Sequence, residues 1–117
     1  MELKDYNLKV VTTERWGFAL QPISNCVISG REYMCNPDET AEEKLYIPVE
    51  ELKFGCAISI KQQKKTYIIK IEEFLWKWYV KIWEMPYKEN ADYSQLEIFE
   101  FMRKNHVQES ILMISLL

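Results

Sequence analysis

The chain has 117 residues, 48% of them apolar and 14% aromatic, with 15 Lys and Arg against 18 Asp and Glu and so a net charge of −3. That balance is too apolar and too aromatic for a disordered chain, and three Gly with four Pro exclude collagen-like and low-complexity sequence. The length fits a single domain over residues 1–117 that can hold a core without staples.

In chain order, Leu8 to Thr13 is rich in β-branched residues and reads as a strand. Trp16 to Leu20 alternates large apolar residues, and Gln21-Pro22 is expected to break that ladder. Asn25 to Ile28 and Arg31 to Cys35 read as a hairpin closed by Ser29-Gly30. Asn36 to Thr40 is a loop by its Asn, Pro and Asp. Leu45 to Val49 is a short edge segment, and Pro48 to Leu52 is equally compatible with one helical turn.

Phe54 to Lys61 alternates, Gln62 to Lys65 is a polar turn, and Thr66 to Ile71 returns as a strand. Glu72 to Met85 fits two templates. As a helix, Ile71, Phe74, Leu75, Trp78, Ile82 and Met85 form a stripe. As a strand, Trp76, Trp78, Val80 and Ile82 share a face opposite Lys77, Tyr79, Lys81 and Trp83. The density of Trp, Tyr, Val and Ile favours the strand. Asp92 to Asn105 reads as a helix with Asp92 as N-cap, Gln95 completing a capping box and Asn105 as a left-handed C-cap. Glu109 to Leu117 is expected to be a final strand buried on both faces. The expected fold is α+β, a single domain made mainly of an antiparallel sheet of about six to eight strands with one helix from the C-terminal half packed on it.

No leader opens the sequence, and no stretch reaches the ~18 apolar residues a membrane span needs. Cys26, Cys35 and Cys56 make an odd count, which with no leader implies reduced thiols and a cytoplasmic location. The motifs argue against catalysis and cofactors. His106 is the single histidine, and the cysteine spacings form no metal knuckle. Three isolated Gly make neither a dinucleotide fingerprint nor a P-loop. Glu42-Glu43, Glu50-Glu51 and Glu72-Glu73 are adjacent pairs, which in a strand point to opposite faces rather than flanking one cleft.

Charge is segregated. Segment 32–51 carries seven acids against one lysine, and segment 61–81 carries six lysines against two glutamates. In composition the chain is similar to small immunity proteins that neutralise toxins, and to phage inhibitors of host defence: short, acidic, aromatic-rich and motif-poor. That resemblance is diffuse and assigns no residue. The expected function is a non-catalytic, protein-binding inhibitor. An immunity protein would cover the basic active-site surface of a toxin such as a nuclease with an acidic patch. Asp38, Glu39, Glu42, Glu43, Glu50 and Glu51 are its candidate contact charges, and Tyr33 and Tyr46 its candidate aromatic anchors. The alternative is a defence-blocking or nucleic-acid-associated protein using Lys61, Lys64, Lys65 and Lys70, although the overall acidity and absence of any nucleic-acid motif weigh against it. A homodimer is one arrangement that would bury the terminal Leu116-Leu117.

Overall fold

The fold is described for residues 2–12, 17–33 and 46–115 of a computed structural model. Thr13, Trp16, Cys35, the expected 36–40 loop, Leu45, Leu116 and Leu117 lie outside the described residues, as do Asp38, Glu39, Glu42 and Glu43.

A 3₁₀ turn (Leu3–Tyr6) leads into β1 (Leu8–Val11) and β2 (Ala19–Pro22), which pair antiparallel as a two-stranded ribbon. Pro22 does not break this ladder. It is the last residue of β2, opposite Leu8, and a strand end tolerates its missing donor. Then come β3 (Cys26–Ile28), β4 (Arg31–Tyr33), α1 (Val49–Phe54), β5 (Cys56–Ile60), β6 (Lys65–Phe74), β7 (Lys77–Met85), α2 (Gln95–Lys104) and β8 (Glu109–Ser115). The second sheet has six strands in the order β4-β3-β5-β6-β7-β8, with antiparallel neighbours throughout. The α+β reading holds, with eight strands and one main helix.

The sheet's two faces are covered unequally. One face carries Cys56, Ile58 and Ile60 of β5, Tyr67, Ile69 and Ile71 of β6, and Val80 and Ile82 of β7. These pack with Leu8, Leu20, Ile47 and Leu52 into the larger core. The β1–β2 ribbon is fixed over this side by Leu8, Leu20 and the Tyr67 hydroxyl, which donates to the Tyr6 carbonyl; its end is closed by Asn7, a buried residue at φ 63°. Its side chain accepts from the Ser24 amide at 3.0 Å and donates to the Ser24 carbonyl at 3.1 Å.

The other face holds a smaller core of Ala57, Ile68, Trp83, Met85, Ala91 and Ile98, part of it supplied by α2. The Trp83 indole donates to the Asn105 carbonyl at 3.2 Å, joining β7 to the end of the helix. Buried Ser59 and Thr66 share a 2.6 Å hydroxyl contact, and both bond the backbone of Lys88. These bonds hold the β7–α2 connection on the sheet.

Four local readings are corrected. The stretch 72–85 is extended but is not one strand. It is the end of β6, a turn at Leu75-Trp76, and β7. The helix begins later than expected, with Ser94 rather than Asp92 as N-cap. The Ser94 hydroxyl accepts from the Glu97 amide at 3.2 Å and donates to the Glu97 carboxylate at 3.2 Å, a side-chain N-cap in place of the expected Asp92–Gln95 box. Asn105 is extended (φ −123°), not left-handed, and its side-chain amide caps the Phe101 carbonyl at 2.9 Å. Lastly, β8 is an edge strand with Leu112 half-exposed, not a strand buried on both faces.

Candidate functional site

Among the described residues, three consecutive large apolar side chains are exposed at the end of the β6–β7 hairpin. The ladder runs in unbroken register from Thr66↔Met85 to Phe74↔Lys77, leaving only Leu75 and Trp76 to reverse the chain. Both turn residues have positive φ, 51° and 64°. A two-residue turn needs that geometry to match the twist of its strands, and Asn-Gly meets the need most easily. Leu and Trp meet it only against the steric cost of a Cβ in the left-handed region. The Ser29-Gly30 turn solves the same problem with an ordinary turn pair, at φ 49° and 82°. At the hairpin end, Phe74, Leu75 and Trp76 remain 65%, 72% and 64% exposed.

Charges stand beside this tip. Glu72 lies between two ammonium groups, with Lys70 Nζ at 3.0 Å and Lys81 Nζ at 2.7 Å. The hydrogen bond from Lys81, with Lys70 second, holds the Glu72 carboxyl below its usual range. Across the strands, Glu72 faces Tyr79, and Tyr79 faces Leu112.

The proposed acidic patch is described only in part. Glu50 and Glu51 lie on α1, where Arg31 Nη2 of β4 reaches Glu51 at 3.4 Å. Tyr33 on β4 is half-buried, and that burial, with Glu51 nearby, raises its phenol pKa. Tyr33 also lines a cleft of about 330 Å³ with Asn25, Cys26, Val27, Glu32, Lys61 and Gln62. Tyr46 is exposed just before Ile47, which bridges to Leu20. Tyr33 and Glu51 therefore belong to one neighbourhood around β4 and α1. The excess negative charge is elsewhere: residues 13–16 and 34–45 hold five acids and two bases, so the described residues balance.

The lysine set is not gathered. Lys61 and Lys64 lie in the β5–β6 turn, and Lys65 opens β6. Lys61 pairs with Glu32 at 3.3 Å and with Glu89 at 3.5 Å. Lys70 lies five residues beyond Lys65, so it projects from the opposite face of the strand.

Other chemistry is sparse among the described residues. No group of three or more His, Cys, Asp or Glu is placed to hold a metal ion. Cys26 and Cys56 are buried, and burial pushes the Cys56 thiol up to about 12. His106 is exposed in the α2–β8 connection. No described helix is long and apolar enough to cross a membrane. The chain matches no family model, no curated protein and no solved structure.

The tip escapes sequence reading because its turn residues carry no turn signal. One signal was available: Phe74-Leu75-Trp76 places three large apolar residues in succession. A strand that alternates its faces cannot bury such a run on one side.

Proposed function

We propose that the chain is a non-catalytic protein that binds and blocks another protein, with the β6–β7 tip as its apolar anchor. The observation that carries this reading is the tip itself: three consecutive large apolar side chains held in solvent by a turn that disfavours two of them. Large aromatics of this kind dominate interface energetics when a partner's pocket desolvates them. Strained backbone that persists in a fold is commonly kept for function.

In the finer form of this reading the chain is an immunity protein and its partner a toxin with a basic active-site cleft. Glu50 and Glu51, with Asp38, Glu39, Glu42 and Glu43 of the preceding segment, steer the encounter. Tyr33 and Tyr46 supply further aromatic contact.

The test is the double substitution Leu75→Asn and Trp76→Gly. The pair suits the turn, so the variant should fold and melt several degrees higher, as relief of roughly 1–3 kcal/mol of strain per residue implies. Calorimetric titration against a purified partner, first recovered with the tagged wild-type chain, should show at least tens-fold weaker binding. Unchanged affinity would remove the tip from the interface. Separately, Glu42→Lys with Glu43→Lys should slow association tens-fold or more at low salt and far less at high salt. An unchanged association rate would dispose of the acidic steering.

A further inference from the structure

The two edges of the six-stranded sheet are built differently. The β4 edge is short and charged: three residues, with Arg31 and Glu32 exposed and engaged by Glu51 of α1 and by Lys61. Short, charged edges are how proteins prevent unwanted strand pairing. The β8 edge has seven residues, Glu109–Ser115, with a single charge at its start and no Lys, Pro or Gly. Its inner side pairs with β7, and no strand among the described residues pairs with its outer side. Glu109 to Leu112 holds regular register with β7, and the one irregularity falls beyond it, opposite Trp78/Tyr79. Leu112, at the middle of the strand, is 51% exposed, while Ile111 and Met113 are only partly buried at the end of the larger core.

We propose that β8 pairs with β8 of a second copy of this chain, antiparallel about a two-fold axis, so that the two six-stranded sheets become one. The strand suits its own copy. Aligned antiparallel about Leu112, Glu109 stands opposite Ser115 and Leu112 opposite its counterpart, so no like charges face each other across the join. Pairing satisfies the outward backbone groups of the edge, covers Leu112, and extends the core past Ile111 and Met113. This proposal does not rest on the blocking function, since it is argued from the β8 edge and not from the exposed side chains of the tip, although the end of β8 lies beside that tip.

The experiment is light scattering coupled to size exclusion, from micromolar to near-millimolar concentration, on the full chain. The wild type should approach twice its monomer mass as concentration rises. Leu112→Lys changes a half-exposed side chain, so it should keep the wild-type circular dichroism and melting temperature but stay monomeric throughout. The tip variant Leu75→Asn/Trp76→Gly should dimerise like the wild type. Hydrogen exchange gives the second readout: β8 amides should gain protection with concentration in the wild type and not in Leu112→Lys. A wild type that stays monomeric over the whole range overturns the proposal. So does a dimer that survives Leu112→Lys, or one that disappears in the tip variant.

Discussion

Leu75 and Trp76 hold the left-handed backbone that glycine and asparagine adopt most readily. Each keeps a large side chain in water on a backbone conformation that costs stability. The thiols lie at the other extreme. Cys56 is enclosed, and its pKa is raised to about 12, against roughly 8.5 in an unfolded chain. Between those values the native state holds the proton that the unfolded state has released, so stability should decline as pH rises through this window. At mildly alkaline pH, alkylation of Cys26 and Cys56 should proceed no faster than global opening, as read by peptide mapping against a urea-unfolded control. Rapid modification of the native chain would contradict the burial. Both thiols sit in the larger core, where cysteine outside disulfides is commonly found. The tip was not legible, because its residues carry the opposite of a turn signature.

At the level of elements, alternation located β5 although both its faces are buried, because its large residues Cys56, Ile58 and Ile60 share one face and the small Ala57 and Ser59 the other. It failed at 72–85, where strand, turn and strand run together with no polar punctuation. The helix turns Ile98, with the partly buried Phe101 and Met102, to the sheet, while Leu96 and Phe99 stay exposed. Period alone does not say which flank of a broad apolar stripe meets the sheet. The Lys70–Glu72–Lys81 cluster ties β6 to β7 near the tip. Because the folded Glu72 pKa is depressed, its contribution is present above the unfolded carboxylate value and is lost as pH falls through the folded one. Solvent screens this partly exposed group, so the effect should not exceed about 1 kcal/mol. Lys81→Met should therefore melt slightly below the wild type at neutral pH, and the gap should narrow as pH falls below the unfolded carboxylate range. A gap that is constant across pH would mean that lost packing, not charge, accounts for it.

For the whole molecule, composition and strand pattern were enough to reach an α+β fold of about six to eight antiparallel strands with one helix, and the described residues form eight strands. Strand order was not accessible, since it depends on which faces meet in space. The expectation that the last strand is enclosed failed for that reason: its apolar residues face a core on one side of the sheet only. It still supplies Ile111 and Met113 to the larger core. Deleting residues 111–117 should unfold the domain or make it aggregate, because β7 would become a bare edge. A truncated chain that stays soluble and melts cooperatively would make the tail an appendage.

The nine-pair ladder between β6 and β7 is the longest among the described residues and closes through only two residues. Closing so short a loop costs the least chain entropy, so this hairpin is the natural place for folding to begin. The strained turn would then already be formed at the rate-limiting barrier. Replacing Leu75-Trp76 with Asn-Gly should accordingly quicken refolding and leave the unfolding rate nearly unchanged, as stopped-flow chevrons would record. The side chains held out for a partner would thus act as a brake on the chain's own assembly.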